Sequence, residues 1–122
     1  MANEITFSAL LAFSKGGRRA DFGTVGGQLT MTGTDFVLKT QSIGTTEEAL
    51  NIGDITTPGM MCMKNLDSSN AVTLRAASGS GTAGNCITIK AGETQLFRLG
   101  STAPFMIASN AAVEVNYLLL EE

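Results

Sequence analysis

The sequence predicts an all-β protein, an antiparallel β-sandwich with eight to ten short strands in a jelly-roll-like or immunoglobulin-like arrangement. Short runs alternate between apolar and polar side chains, which is typical of half-buried strands. Turn-forming residues recur between these runs at close spacing, and no long run has the periodicity of a helix. The 122 residues correspond to one domain by length.

The middle of the chain, residues 57–77, shows the pattern most clearly. Residues 60–64 form an apolar run, and Val72 and Leu74 alternate with polar neighbours in a second run. Between them, residues 65–70 are rich in Asn, Asp and Ser, whose side chains bond nearby backbone groups and so favour turns. We therefore expect a central β-hairpin.

The rest of the chain reads as further strands around this pair. Residues 1–27 comprise an N-terminal strand, residues 5–14, and a Gly-rich basic arm, residues 15–27, which we expect to be a loop. Residues 28–122 form the β-sandwich core of the single domain. Two more hairpins are expected there, residues 28–32 with 35–43 and residues 86–90 with 94–99.

Composition argues against an enzyme. The chain has no histidine, which removes the commonest general base and a principal zinc ligand. Cys62 and Cys86 lack the paired spacing of a zinc knuckle, so we expect no metal and no cofactor. We also expect no nucleic-acid partner, because the net charge is −3 and nucleic-acid binding needs a basic face.

The glycine-rich segment at residues 79–84 and the two cysteines both have simple interpretations. Gly79, Gly81 and Gly84 have the spacing of a dinucleotide-binding loop, but a strand-like run follows them where that loop requires a helix. We interpret them as a hairpin tip. Cys62 and Cys86 lie in predicted strands, and we expect two buried free thiols; a disulfide is the alternative in an oxidising compartment.

Targeting signals are not evident. The apolar run near the N-terminus follows Glu4 and precedes Lys15, Arg18 and Arg19, which is the reverse of the charge order in a signal peptide. No run reaches the ~20 apolar residues of a membrane helix. We therefore expect a protein made in the cytoplasm, without a membrane partner.

Two sets of residues are candidates for contact with other subunits. Lys15, Arg18 and Arg19 form the only dense basic cluster, either a solvated loop or an arm that grips an acidic neighbouring subunit. In the last predicted strand, Val113 to Leu120, alternation places Leu118 and Leu120 on the outward face. Apolar side chains on an outward face are candidates for burial between subunits.

Four segments carry a resemblance to a known group of proteins. They are TQSIGTTEEAL at residues 40–50, KNLDSSN at 64–70, IKAGE at 89–93 running into LFR at 96–98, and VEVNYLLLEE at 113–122. In this order and spacing, residues 28–122 resemble small structural proteins of tailed bacteriophages and prophages. The resemblance implies a virion component, a β-sandwich fold and no catalytic residues.

This resemblance leads to three functional hypotheses. The first is a decoration (cement) protein on a phage head, a homo-oligomer that reinforces the lattice by bridging subunits of the major capsid protein. The second is a tail, collar or fibre module of the virion. The third, of another class, is a receptor- or carbohydrate-binding module, although the chain has no Trp and a single Tyr to stack on sugars.

Overall fold

The computed structural model describes residues 3–79 and 81–122. The chain divides into two units, one ending at Thr32 and the other spanning Gly33–Glu122. The first unit is an antiparallel hairpin of β1 (Ile5–Lys15) and β2 (Arg18–Leu29), which we call the arm. The second unit we call the core domain. The boundary between the units therefore lies five residues after the predicted end of the N-terminal part at residue 27.

The core domain contains eight strands in the part of the chain that the structure describes. They are β3 (Phe36–Ile43), β4 (Glu48–Ala49), β5 (Pro58–Asn65), β6 (Val72–Arg75), β7 (Asn85–Ile89), β8 (Thr94–Arg98), β9 (Phe105–Ala108) and β10 (Val113–Glu121). A 3-10 helix, Gly81–Gly84, leads directly into β7, so the glycine-rich segment precedes a strand as expected. The all-β prediction is confirmed.

These eight strands form two antiparallel sheets, ordered β3-β10-β5-β8 and β4-β9-β6-β7. We call them the first and second sheets. Among these eight strands, only β6 and β7 are both consecutive in sequence and paired; every other step along the core domain crosses from one sheet to the other. Eight strands in this order form a jelly roll. The structure thus selects the jelly-roll-like member of the two predicted arrangements.

The core lies between the inner faces of the two sheets. In β10, Val113, Val115, Tyr117 and Leu119 are buried and alternate with outward-facing residues, as the sequence predicts. The second sheet contributes buried residues from β6, β7 and β9 to the same apolar cluster. In a two-layer sandwich, each strand buries one face against the opposite sheet, which leaves its other face to solvent or to a partner.

The predicted central hairpin is wrong, because β5 and β6 lie in different sheets. The polar turn between them exists, but it carries the chain across the sandwich. Asn65 is fully buried, and its Nδ2 donates to the carbonyl oxygens of Asn70 and Ile89, each at 2.9 Å. Its Oδ1 accepts from the backbone N–H of Asp67 at 2.8 Å. These three bonds fix the crossover from one sheet to the other.

The other two predicted hairpins are wrong for the same reason. The end of β2 pairs with β1, and β3 pairs with β10. Likewise β7 pairs with β6 in the second sheet, whereas β8 pairs with β5 in the first. Alternation along a strand reports which face is buried, and it carries no information about which strand lies alongside.

Two local predictions are also corrected. Most of residues 15–27 belong to β2 and not to a loop. The sequence does not reveal this strand, because Gly23, Gly26 and Gly27 lack the side chains whose alternation signals one. The cysteines are free, as expected, but they are not both buried. Cys62 is partly buried and Cys86 is exposed.

Candidate interaction surfaces

The arm turns at Gly16 and Gly17, and this turn gathers the basic residues at its tip. Both glycines have positive φ, 60° and 75°, as the favoured two-residue hairpin turns require. The register then places Lys15 opposite Arg18, with Arg19 next to Arg18 on β2. The structure therefore brings together the three basic residues that the sequence singles out, at the end of a hairpin.

One face of the arm is mainly apolar, with Thr24 opposite Ala9, and it ends at the Lys15–Arg18 pair at the tip. The register aligns Leu11 with Phe22 and Phe13 with Ala20 on this face, and Ile5 with Leu29 near its base. Phe22 is 86% exposed and Leu11 is 79% exposed. We call this surface the apolar arm face. Large apolar side chains exposed on one face of a two-stranded ribbon are candidates for burial against another surface.

The base of the arm is held by its own side chains. A bulge between Phe7 and Ala9 contains Gly26 at φ 71°, whose N–H donates to Ser8 Oγ at 3.0 Å. The Phe7 ring occupies the space above Gly27, where a Cβ atom would lie 2.5 Å from it. Glu4 accepts a hydrogen bond from the Met31 N–H at 3.1 Å, and this bond lowers the pKa of Glu4.

The outer face of the first sheet carries a second apolar surface. Direct pairing aligns Leu38, Leu118, Cys62 and Leu96 in one row across all four strands. In the adjacent row, Phe36 pairs with Leu120, and Met60 lies on β5 beside Arg98 of β8. Leu38 is 64% exposed and Phe36 is 62% exposed. These two rows form a surface of six apolar side chains around Cys62, which we call the apolar patch. Its members are Phe36, Leu38, Met60, Leu96, Leu118 and Leu120.

The apolar patch ends sharply within the sheet. The next row towards the opposite end of the strands is polar, and it consists of Thr40, Asn116, Lys64 and Thr94. At the apolar end, the Glu121 N–H donates to the Asp35 carbonyl oxygen at 2.9 Å, and Glu122 forms an ion pair with Arg98 at 2.8 Å. Three acidic residues, Asp35, Glu121 and Glu122, therefore lie beside the patch.

The predicted contact residues Leu118 and Leu120 lie at the centre of this patch, outward-facing and half-buried. The sequence reasoning missed the larger part of both surfaces, namely Phe36 and Leu38 on β3 and Leu11, Phe13 and Phe22 on the arm. For β3 a signal exists, since Phe36 and Leu38 alternate with Val37 and Lys39. Because β3 is an edge strand, both of its faces look mixed in sequence and the exposed one cannot be recognised.

The charges of the two units are opposite in sign. The segment up to Thr32 contains three basic and two acidic side chains, whereas residues 33–122 contain five basic and nine acidic ones. The basic side chains of the first segment are all at the tip of the arm. The protein thus has a basic arm and an acidic core domain, although its net charge is only −3.

The best-formed charged cluster of the second sheet is used within the chain. Arg75 Nη1 lies 2.9 Å from Glu47 Oε2, and Arg75 Nε donates to Asn85 Oδ1 at 2.9 Å. Glu47 also accepts from the Gly79 N–H, and this bond, followed by that from Arg75, lowers the pKa of Glu47. The cluster ties β6 to the loops on either side of it and leaves no charge unpaired for a ligand.

Within residues 3–79 and 81–122, no group of three or more His, Cys, Asp or Glu side chains is placed to hold a metal ion. Over the same residues, no helix has the length and apolar character needed to cross a membrane. Searches against protein-family models and curated proteins found no match for this sequence. The arm and the apolar patch are therefore the candidate functional surfaces of this protein.

Proposed function

We propose that this protein is a structural subunit of a bacteriophage virion, a decoration protein that reinforces the head by bridging capsid subunits. The observation that carries the proposal is the arm, a long hairpin whose apolar face and basic tip are exposed. A chain gains nothing from such a hairpin in water, whereas a subunit in an assembly can bury it against a neighbour.

The fold and the resemblance add support of a weaker kind. Jelly rolls occur in viral capsid domains and also in lectins. The topology therefore supports the proposal by analogy only and does not by itself assign a function. The four segments that resemble phage structural proteins all lie in the core domain, in parts of β3, β4, β5, β7, β8 and β10 and in the turns beside them. In this proposal the core domain is the shared scaffold and the arm is the part peculiar to this protein.

The mechanism proposed for the arm is electrostatic attraction followed by apolar burial. The tip, with Lys15, Arg18 and Arg19, approaches an acidic region of a neighbouring virion subunit, and ion pairs strengthen as water leaves the contact. Burial of the apolar arm face then stabilises the contact by roughly 25 cal/mol for each Å² of apolar surface removed from water.

The test is co-sedimentation with purified phage particles that lack the native protein. The wild-type protein should sediment with these particles, and Arg18→Ala/Arg19→Ala should sediment less while its melting temperature stays unchanged. Lys64→Ala/Lys90→Ala removes two exposed basic side chains from the core domain and serves as the matched control. Absence of wild-type attachment to every particle type would overturn the proposal. The copy number bound distinguishes a head or tail shaft from a collar or fibre.

A further inference from the structure

We infer that the apolar patch of the first sheet is the docking site for the arm of a second copy of this chain. This inference rests on the proposed role as an assembly subunit and names the partner of one of its surfaces. It assigns a directional, arm-to-patch contact between identical subunits, with the apolar arm face of one copy lying over Leu38, Leu118 and their neighbours in the next.

Both surfaces are exposed and apolar, so they are of the same kind. The patch presents six large apolar side chains around Cys62 on a four-stranded sheet, bounded by a polar row. The apolar arm face presents Leu11, Phe13 and Phe22 on a two-stranded ribbon. A ribbon laid face to face on a sheet forms the same kind of contact that holds two sheets together in a sandwich, with side chains interdigitating.

Charge complementarity selects among the three pairings available to identical copies. Arm against arm brings together two hairpins that each carry three basic side chains at the tip. Patch against patch brings together two sets of Asp35 and Glu121, each beside a Glu122 that Arg98 already neutralises. Arm against patch alone places a basic tip beside an acidic border, so it is the pairing that electrostatics favours.

The dimensions of the two surfaces also fit this pairing. A strand of eleven residues is about 36 Å long, whereas four strands span only about 14 Å between the outermost two. The arm can therefore cross the whole patch and still extend its tip beyond it. Since the donor and acceptor surfaces differ, each contact is heterologous; two copies can exchange arms as a two-fold pair, and otherwise the rotation between copies decides between a ring and an open filament.

The experiment uses the purified protein alone, without phage particles, and measures molar mass by light scattering after size exclusion. Two variants each remove one surface: Leu11→Ser/Phe22→Ser on the arm and Leu38→Arg on the patch. Each should be monomeric, with the dissociation constant raised about a hundredfold, and mixing them should restore a 1:1 pair, because each retains the surface that the other lacks.

Matched controls locate the contact. Leu10→Ser lies on the opposite face of the arm, and Leu66→Ser replaces another exposed leucine outside the patch, so both variants should assemble as the wild type does. The native thiols give a second readout. Cys62 at the centre of the patch should lose reactivity by at least about tenfold on assembly, while Cys86 on the second sheet should keep its own.

Each contrary result overturns the inference in a recognisable way. An oligomeric Leu38→Arg variant would mean that arms pair with arms, and an oligomeric Leu11→Ser/Phe22→Ser variant would mean that patches pair with patches. A wild-type protein that remains monomeric at high concentration would rule out a second copy as the occupant. If that monomer still attached to particles, the proposed function would stand and this inference alone would fail.

Discussion

The hydroxyl group of Tyr117 donates a hydrogen bond to the backbone carbonyl oxygen of Asn51, 2.6 Å away, and also lies 3.2 Å from Gln41 Oε1. Gln41 Oε1 in turn accepts from the Asn51 N–H at 2.9 Å. The tyrosine ring is buried in the core, so its only polar atom reaches the segment that follows β4. A central strand, an edge strand and a connecting loop are joined at this point.

The Tyr117→Phe variant should lose about 1–2 kcal/mol of unfolding free energy, because it leaves the Asn51 carbonyl without its partner while conserving the apolar ring. Urea unfolding followed by circular dichroism measures the loss. Asn116→Ala, an outward-facing change on the same strand, should stay within about 0.5 kcal/mol of the wild type. Equal stabilities of Tyr117→Phe and wild type would mean that the hydroxyl bond does not hold the loop.

Alkaline pH should destabilise the protein through the same residue. Burial raises the pKa of Tyr117 to about 12, whereas a tyrosine in an unfolded chain titrates near ~10. Between these values the unfolded chain releases a proton that the folded chain retains, so stability falls as pH rises. The stabilising contribution is complete below about pH 10 and is lost as the pH passes through about 12.

The measurement is the unfolding free energy from pH 9 upward for wild type and Tyr117→Phe. Their difference should shrink as pH rises, because only the wild type has this tyrosine proton to lose. Parallel curves would contradict the raised pKa of Tyr117.

Replacement of the buried Asn65 should be among the most damaging single changes in the core domain. Asn65→Ala leaves the carbonyl oxygens of Asn70 and Ile89 without the side-chain donor that each uses, and we expect a loss of about 2–4 kcal/mol. Thermal and urea unfolding provide the measurement. The comparison variant is Asn110→Ala, an exposed asparagine in a bend, for which we expect almost no change. A similarly mild effect at Asn65 would show that the crossover forms without its side chain.

The two thiols should react at different rates in the native protein. Cys86 is exposed and should react with a thiol reagent at once, while Cys62 lies half-buried between Leu118 and Leu96 and should react more slowly. Cys62→Ser and Cys86→Ser assign the two phases. A slow Cys86 would contradict its exposed position on the second sheet.

The sequence is informative about individual strands and poorly informative about their partners. The alternation of residues 113–120 correctly separates the buried Val113 and Tyr117 from the outward Leu118. The turn residues around Asp67 are also correctly recognised, since its carboxylate accepts from the N–H groups of Ser69 and Asn70. The strand pairings could not be predicted, because a jelly roll sends nearly every consecutive strand to the opposite sheet and leaves no local trace of that choice.

The candidate surfaces were predictable only in part. Lys15, Arg18 and Arg19 stand out as charges, and Leu118 and Leu120 stand out by their position in a strand. The apolar patch requires the register, because Leu38, Cys62 and Leu96 become neighbours of Leu118 only through pairing between distant segments. The apolar arm face was hidden because its second strand contains glycines where a periodic pattern would need side chains.

The position of β10 has a consequence for synthesis. A ribosome makes this strand after all the others in the sequence, yet it lies between β3 and β5 and pairs with both. Until it emerges, the two earlier strands have no common neighbour, and Met61 and Met63 lack the Leu119 and Tyr117 that pair with them. The core domain therefore cannot form progressively from its N-terminal end, and a nascent chain must keep its apolar strands apart until residues 113–121 leave the exit tunnel.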